Sequence, residues 1–207
     1  MTKNSEPLGR ADVEVVEHTT PYRDFFWIDK FRLRHRRFDG SWTPVFEREI
    51  FRRADAVALL PYDPVRDRII LVEQFRAAAY ASGRHPWTFE VVAGIIDRDE
   101  TPEAIARREA VEEAGREVRG DLVHICDFFV SPGGATEFVK LYCGRVDAGG
   151  DGGLHGLVEE HEDIRAHVLD FEDAYARVRA NQIPNAVTII SVLWLALNRE
   201  DLRRRWR

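Results

Sequence analysis

Cysteine, methionine and long apolar runs are all scarce in this sequence. The 207 residues include one methionine and two cysteines, Cys126 and Cys143, which lack the spacing of metal ligands. The longest apolar run, residues 186–197, is well below the roughly 20 residues needed to span a bilayer. We therefore expect reduced, buried thiols, with a disulfide as the lesser alternative, and no transmembrane helix.

An excess of basic charge is also absent. The chain carries 30 Lys and Arg against 36 Asp and Glu, a net charge of −6, which argues against a general affinity for nucleic acid. The first fifteen residues lack the apolar core of a signal peptide. We expect a cytoplasmic protein with neither nucleic acid nor membrane as a partner.

Residues 94–116 form the most informative segment and read GIIDRDETPEAIARREAVEEAGR. Thr101 followed by Pro102 predicts the start of a helix, because the hydroxyl can cap free amides and proline suits the first turn. Gly115 predicts its end. The side of this helix expected to pack on a sheet carries Ala104, Val111 and Ala114.

Glutamates dominate the other side of that helix. Glu109 comes three positions before Glu112 and four before Glu113, a spacing that places the three carboxylates on one face of the helix. Their mutual repulsion favours binding of a hard divalent cation such as Mg²⁺, which takes oxygen ligands and bridges phosphates. A solvated acidic face paired with Arg107 and Arg108 is the alternative.

The rest of the chain predicts a mixed architecture. Residues 12–53 are rich in β-branched and aromatic residues, with a hairpin turn at 38–41, and predict a small antiparallel sheet that cannot form a core alone. Later strands are expected at 56–60, 68–76, 87–96, 122–130, 137–146 and 164–169, and later helices at 170–179 and 186–205. The glycine-rich stretch 147–156 is expected to be the most flexible. The order predicts an α+β protein.

The spacing of fixed residues in the acidic segment resembles the signature of the Nudix hydrolases. The matching positions are Gly94, Glu100, Arg108, Glu109, Ala110, Val111, Glu112, Glu113, Ala114 and Gly115. The one departure is Arg116, where the family usually has an apolar residue, and Val118 is expected to supply the missing packing. The resemblance implies a Nudix α/β/α sandwich with a mixed sheet at 54–207, preceded by an antiparallel sheet domain at 1–53 for dimerisation and part of the substrate pocket.

Within this family, nearly the whole chain is similar to the dimeric bacterial ADP-ribose pyrophosphatases. The stretches that carry the similarity are YRDFFWID at 22–29, FEREIF at 46–51, LVEQFRAAAY at 71–80, SPGGATE at 131–137 and HGLVEEHEDIR at 155–165. Pro132, sixteen residues after Arg116, lies where a proline marks this group. The resemblance implies Mg²⁺-dependent hydrolysis of ADP-ribose to AMP and ribose 5-phosphate.

The resemblance also implies roles for individual residues at the reaction centre. Two or more Mg²⁺ ions, replaceable by Mn²⁺, would be bound by the Ala93 carbonyl and the side chains of Glu109, Glu113 and Glu162. Glu160 lies at the position of the general base, with its neighbours Glu159 and Glu162 as alternatives. Glu100, Arg108 and Glu112 are expected to orient the ligands.

A further set of residues is implied in binding the nucleotide sugar. Arg76 would contact phosphate and Ile95 the terminal ribose. In the dimers that this chain resembles, part of the adenine pocket comes from the second chain, and the matching residues here are Phe25, Phe26, Arg48, Glu49, Ser131, Pro132, Gly133 and Glu137. A homodimer with shared active sites follows.

Two alternatives stay open at the level of sequence. Another nucleoside diphosphate sugar, such as GDP-mannose, could be the main substrate, since no residue distinguishes adenine from guanine on physical grounds. A non-catalytic module that senses ADP-ribose would keep the fold but be expected to lose glutamates of the acidic helix. This chain retains them.

Overall fold

The computed structural model describes residues 7–96 and 99–206. Residues 1–6 of the predicted N-terminal sheet domain, residues 97 and 98 of the acidic segment and residue 207 of the predicted hydrolase domain lie outside it. The chain divides into two compact units: unit 1 is Met1–Ala54 with Phe129–Glu137, and unit 2 is Asp55–Phe128 with Phe138–Arg207.

Unit 1 contains the small antiparallel sheet expected from the sequence. Its strands are β1 (Val13–Arg23), β2 (Trp27–His35) and β3 (Phe46–Arg52), in the order β1-β2-β3. The predicted turn at 38–41 lies between β2 and β3, where Asp39 accepts hydrogen bonds from the amide and hydroxyl of Ser41. Gly40 there has φ +85°, a conformation that favours glycine.

A buried carboxylate stands at the centre of this sheet. Asp29 is 2% exposed and accepts a hydrogen bond of 2.7 Å from the Thr20 hydroxyl, with His18 and Arg52 at 3.2 and 3.1 Å. The hydrogen bonds from Thr20 and His18, with the charge of Arg52, lower the pKa of Asp29 despite its burial. Polar contacts thus hold together a sheet whose strand β1 is exposed along its whole length.

Unit 2 is built on an eight-stranded mixed sheet. Its strands are β4 (Ala56–Asp63), β5 (Arg68–Phe75), β6 (Trp87–Glu90), β7 (Val92–Ile95), β8 (Arg119–Phe129), β9 (Phe138–Arg145), β10 (Gly153–His155) and β11 (Ile164–Asp170). The order is β10-β11-β5-β4-β9-β8, with β6 pairing β5 and β7 pairing β4. Strands β4 and β9 are parallel, whereas β4–β7, β5–β6 and β5–β11 are antiparallel.

Helices cover both faces of this sheet. The covering helices are α2 (Pro102–Ala114), α3 (Phe171–Arg179) and α4 (Ala186–Arg205), whereas the short α1 (Ala77–Ala81) has no buried residue. Alternating residues of β4 face opposite sides: Leu60 packs in one core with α3 and α4, and Leu59 packs in a second core with α2. The predicted α/β/α layering is therefore correct for unit 2. Within the described residues, no helix has the length and apolar character needed to cross a membrane.

The predicted strand at 87–96 is in fact two strands. β6 ends at Glu90 and pairs with β5, whereas β7 begins at Val92 and pairs with β4. Val91 belongs to neither, and its amide donates to the Thr188 hydroxyl of α4. A continuous apolar run does not indicate that its two halves have different partners.

Helix α2 begins and ends as predicted, but its packed face differs. Ala104 and Val111 are exposed, so their predicted packing against the sheet is wrong. The buried residues of the helix are Ile105, Ala106, Ala110, Glu113 and Ala114. The helix is rotated so that Glu113 lies beside the apolar stripe, and only Ala114 of the predicted face is buried.

The cysteines, the start of α3 and the glycine-rich stretch were also predicted from the sequence. Cys126 and Cys143 are both free thiols, and burial raises the pKa of Cys143. Asp170 is the N-cap residue of α3 as predicted, although its carboxylate accepts from Arg68 instead of capping the helix. The glycine-rich stretch 147–156 contains the short strand β10, a strand the sequence did not predict.

Candidate active site

Helix α2 presents the glutamates, and its ends are set by local chemistry. The Thr101 hydroxyl accepts from the Ala104 amide at 3.2 Å, and Pro102 is the first helical residue. Gly115 ends the helix with φ +61°, in the left-handed region. The thirteen residues between these caps include every glutamate predicted on this helix.

Gly94 allows α2 to lie directly on β7. A Cβ atom at this position would lie 2.4 Å from Oε1 of Glu109 and 2.6 Å from its Cγ. Any side chain at residue 94 would therefore displace Glu109. The glycine brings the helix carboxylates to the backbone of the strand.

Glu113 is the most buried carboxylate of the site. It is 3% exposed, and one of its oxygens accepts a 3.0 Å hydrogen bond from the Ala93 amide. Burial, opposed by this hydrogen bond and reinforced by the charges of Glu109 and Glu162, raises the pKa of Glu113 to about 8. A neutral carboxyl is therefore favoured here until a cation compensates the charge.

Glu109 lies one helical turn before Glu113 and has a similar environment. Burial is the largest cause that raises its pKa to about 7; Arg108 opposes this shift, and the charges of Glu112 and Glu162 add to it. Glu162 is thus close enough to contribute to the raised pKa of both Glu109 and Glu113. Glu109 and Glu113 were predicted on the helix and Glu162 on a distant loop.

Arg108 is surrounded by glutamates. Its guanidinium lies 2.6 Å from Glu112, 3.0 Å from Glu109 and 3.9 Å from Glu100. These three charges raise the pKa of Arg108 although its burial acts in the opposite direction. The residues predicted to orient the metal ligands therefore form one connected group around a single cation.

The acidic loop 156–163 connects β10 to β11 and carries Glu160 and Glu162. The Leu157 carbonyl accepts from the Glu160 amide at 3.0 Å, and the Leu157 amide donates to the Glu162 carboxylate at 3.2 Å. Glu160 is exposed to solvent, whereas Glu162 is partly buried. The loop thus folds onto its own backbone and leaves Glu160 accessible to a ligand.

Arg76, predicted to bind phosphate, is held by a carboxylate. Glu90 accepts from its Nε at 2.9 Å and from its Nη2 at 2.7 Å, and the Thr88 hydroxyl donates to Glu90 at 2.5 Å. Burial disfavours the charge of Arg76, but Glu90, helped by Glu113 and Glu162, raises its pKa overall. Arg76 is therefore a fixed cation within the electrostatic range of the acidic site.

Other predicted substrate residues lie in unit 1. Phe25 is 75% exposed and makes an edge contact of 4.7 Å between ring centroids with Phe26. In β3, Arg48 stacks over Phe46 at 4.5 Å. Because successive strand residues point to opposite faces, Arg48 and Glu49 lie on different sides of this sheet. Phe25 and Arg48 thus offer an exposed ring and an exposed cation.

The remaining predicted substrate residues lie in the segment 131–137, which also belongs to unit 1. Ser131 begins a turn in which its carbonyl accepts from Gly134 and Ala135, and Pro132 and Gly133 are exposed within it. Glu137 is 13% exposed and accepts from Arg53 at 3.0 Å. A bridge between Phe51 and Ala135 ties this turn to β3.

Comparison with known proteins identifies the family of this fold and acidic helix. Residues 52–188 match the NUDIX domain family. The chain belongs to the Nudix family. The matched range contains α2 and the loop that carries Glu160 and Glu162, so both parts of the acidic site lie inside the Nudix domain.

Several Nudix relatives resemble most of this chain. It is 46% identical over 199 residues to an ADP-ribose pyrophosphatase of Escherichia coli strain K12, covering 96% of this chain and 95% of the relative. An ADP-ribose pyrophosphatase of Haemophilus influenzae is 40% identical over 203 residues, with 97% and 93% covered. A GDP-mannose pyrophosphatase of Cronobacter sakazakii is 29% identical over 187 residues, with 90% and 96% covered.

A solved structure supports the Nudix fold independently. The crystal structure of an ADP compounds hydrolase superposes with a TM-score of 0.69 at 19% identity, covering 97% of this chain and 98% of that one. At this identity the likeness concerns the fold alone.

The donor atoms of the Nudix helix and the acidic loop suit a hard divalent cation. Glu109, Glu113, Glu162 and the backbone of Ala93 offer only oxygen, which Mg²⁺ prefers. Among residues 7–96 and 99–206, no three His, Cys, Asp or Glu side chains already converge as a metal cage. These carboxylates contact Arg108 and the Ala93 and Leu157 amides.

Glu90 in unit 2 and Arg53 in unit 1 each contact a predicted site residue but were not themselves predicted from the sequence. Glu90 fixes Arg76, and the alternation in Thr88-x-Glu90 places both residues on one side of β6, a pattern that could have indicated the pair. Arg53 links Glu137 to the Phe26 ring, with its guanidinium 5.3 Å from the ring centroid. No local pattern indicates that contact, because residues 53 and 137 are far apart in sequence.

Proposed function

We propose that this protein hydrolyses the pyrophosphate bond of ADP-ribose, giving AMP and ribose 5-phosphate, in a reaction that depends on Mg²⁺. The observation that carries the proposal is the pairing of the buried Glu113 with the partly buried Glu109 beside the Ala93 backbone. The proposal is also supported by the names of the relatives that match over nearly the whole chain. The GDP-mannose relative is more distant, which favours ADP-ribose as the substrate.

The acidic helix suits a pyrophosphate substrate only together with cations. Glu109 and Glu113 have pKa values of about 7 and 8 because their charges are buried near one another, and an anionic substrate would add to this repulsion. The Ala93 carbonyl, Glu109, Glu113 and Glu162 would hold two or more Mg²⁺ ions, for which Mn²⁺ could substitute. When bound, such ions polarise the phosphoryl group and stabilise the leaving oxygen.

The chain's own side chains supply the remaining chemistry. Glu160, exposed on its loop, accepts the proton of the attacking water as the water oxygen bonds to phosphorus and the anhydride P–O bond breaks. Arg76, fixed by Glu90, contacts a phosphate of the substrate. Arg108 pairs with both Glu109 and Glu112 and orients their carboxylates.

Recognition of the nucleotide is proposed to use residues of unit 1. The exposed Phe25 ring provides a stacking surface for adenine, and Arg48 a planar cation. Phe26, the turn 131–133 and Glu137 complete this pocket, and Ile95, 38% exposed, contacts the terminal ribose. Glu49, on the other side of β3 from Arg48, is proposed as a separate substrate contact.

We further propose a homodimer in which residues 1–53 serve dimerisation and complete the pocket of the partner, while residues 54–207 form the hydrolase domain. Strand β1 exposes Val13, Val15, Val16 and Tyr22 to between 45% and 55%. An isolated sheet with so much exposed apolar area gains stability by covering it. The free thiols Cys126 and Cys143 suit a reducing cytoplasm, where we propose that the enzyme acts.

Steady-state kinetics over a panel of nucleotide sugars tests the substrate. We expect the highest kcat/KM for ADP-ribose, with GDP-mannose at least about 10-fold lower, a difference of roughly 1.4 kcal/mol in transition-state binding. A higher kcat/KM for GDP-mannose would support pyrophosphate hydrolysis but show that ADP-ribose is not the main substrate. Tight ADP-ribose binding without turnover in Mg²⁺ would instead indicate a sensing module.

A further inference from the structure

The two ends of the acidic loop 156–163 are held together by paired strands. Strand β10 pairs antiparallel with β11, and the last pair before the loop is His155 with Ile164. Glu160 and Glu162 therefore lie on a hairpin connection, not on a long free segment. Their positions depend on where the base of this hairpin is attached.

The base of the hairpin is attached to the C-terminal end of α2. The Gly156 amide donates to the Glu112 carbonyl at 3.1 Å. One residue earlier, the His155 ring lies against Gly115, where a Cβ atom would come within 2.5 Å of its Cε1 and 3.2 Å of both ring nitrogens. The helix that bears Glu109 and Glu113 thus contacts the hairpin through two adjacent residues.

Hydrogen bonding through Nε2 does not explain why a histidine occupies this place. The Nε2 atom of His155 is buried and has no hydrogen-bond partner among the residues the structure describes. A buried polar atom without a partner is costly. The contact with Gly115 therefore holds the ring by shape.

Gly156 connects the His155 ring to Glu162, the predicted metal ligand of the loop. Gly156 has φ +99°, and a Cβ there would lie 2.8 Å from the Cβ of Glu162. The Glu162 carboxylate in turn accepts from the Leu157 amide. Movement of His155 away from Gly115 would consequently move Gly156, and Glu162 with it.

We propose that His155 is a positioning residue: its ring, seated on Gly115, sets the position of the loop that carries Glu160 and Glu162 relative to the glutamates of α2. The inference rests on the proposed function, which assigns these loop glutamates to the reaction. His155 acts through the loop and has no role at the reacting atoms.

Two alanine substitutions at glycines separate this role from backbone strain. Gly115 and Gly120 have φ of +61° and +65°, so alanine is strained at both, but only at Gly115 does the new Cβ meet the His155 ring; at Gly120 nothing lies within 4 Å. Gly115→Ala should lower kcat by about 100-fold with little change in KM, the loss expected for misplacement by about 1 Å. Gly120→Ala should keep kcat within about 2-fold.

The contact itself is tested by coupling. His155→Gln, which removes the ring and adds no atom at residue 115, should lower kcat by about 10-fold or more. Adding Gly115→Ala to it should cause little further loss, because the ring that the new Cβ displaces is gone. Equal kcat for Gly115→Ala and Gly120→Ala, or independent losses in the double variant, would overturn the proposal.

Hydrogen exchange of the metal-free protein gives a readout that does not depend on activity. Gly115→Ala and His155→Gln should speed exchange of the Gly156, Glu160 and Glu162 amides, which donate at the base and within the loop, whereas Gly120→Ala should not. Unchanged exchange in both variants would contradict the inference. If the wild type does not hydrolyse ADP-ribose, the proposed function fails, and this measurement still decides whether His155 positions the loop.

Discussion

The carboxylate of Glu113 accepts a 3.0 Å hydrogen bond from the backbone amide of Ala93. This bond joins helix α2 to strand β7 at the point where both are proposed to offer oxygen atoms to a cation. The same strand contains Gly94, whose missing side chain leaves room for Glu109. The backbone of one strand therefore positions the buried carboxylate of Glu113 and the partly buried carboxylate of Glu109.

The stability of the metal-free protein should fall as the pH rises from 5 to 8.5. The folded-state pKa values of Glu109 and Glu113, about 7 and 8, lie above the ordinary value of 4.5. Stabilisation by bound protons is complete below pH about 4.5 and is lost as pH rises through 7 and 8. We expect a decrease in melting temperature of roughly 5 °C or more, and an increasing effect of added Mg²⁺ over the same range.

Substitutions on one turn of α2 provide the control for this pH dependence. Glu113→Gln should flatten the decrease, because the titrating buried carboxyl is removed. Glu112→Gln should keep most of it and lower stability near neutral pH, since it removes the charge from the 2.6 Å contact with Arg108. An identical slope for Glu113→Gln and wild type, measured by thermal melting, would show that Glu113 does not carry the effect.

Glu160→Gln should lower kcat by two to four orders of magnitude, roughly the range that general-base catalysis contributes. KM should change little, because the amide keeps the shape of the side chain and loses only the basic oxygen. Initial rates with ADP-ribose measure both constants. The matched control is Glu159→Gln on the same loop, and a larger loss in that variant would move the base to Glu159.

Glu90→Gln should weaken the binding of substrate more than the chemical step. The amide can accept only one of the two hydrogen bonds from Arg76, so the guanidinium loses its fixed orientation. KM should rise by about 10-fold. Glu73→Gln, which alters a carboxylate of the same sheet paired with His167, serves as the control. A KM unchanged by Glu90→Gln would show that Arg76 does not bind the phosphate of the substrate.

Thr88 allows a finer test of the same contact. Thr88→Ser keeps the hydroxyl that donates to Glu90, whereas Thr88→Val removes it with little change in shape. We expect KM near wild type for serine and a rise of a few-fold, about 2 to 5, for valine. The same rise in both variants would attribute the effect to packing of the methyl group.

Mixing two inactive variants tests whether the active sites are shared between chains. Glu160→Gln lacks the proposed base, and Phe25→Ala lacks the proposed stacking ring of the partner. In a mixed dimer one of the two sites has both residues intact, so random exchange should restore about a quarter of wild-type activity. Activity that stays at the level of the separate variants after confirmed exchange would place Phe25 and Glu160 in the same chain's site, or Phe25 outside it.

The sequence was most informative where structure is determined locally. The bounds of α2 follow from Thr101, Pro102 and Gly115, which act within a few residues of themselves. The exposed side of the same helix was predicted less well: Val111 is 49% exposed and Glu113 is buried. The rotation of a helix depends on the sheet beneath it, and sequence spacing alone does not show how the helix packs.

Contacts between distant segments account for most of what the sequence missed. The division at Val91 reflects a hydrogen bond to Thr188, and β10 forms within a glycine-rich stretch with little strand character by pairing with β11. Arg76 was predicted as a phosphate ligand, but its partner Glu90 was not. In each case the deciding interaction joins residues that no local pattern relates.

The most direct test of the account follows the reaction of purified protein with ADP-ribose by ³¹P NMR, with Mg²⁺ and with a chelator. We predict AMP and ribose 5-phosphate in equal amounts with Mg²⁺, no turnover with the chelator, and loss of the Mg²⁺ response in Glu113→Gln. Turnover at the same rate in the chelator, or in Glu113→Gln at the same Mg²⁺ concentration, would contradict the claim that the carboxylates of α2 act through a bound cation.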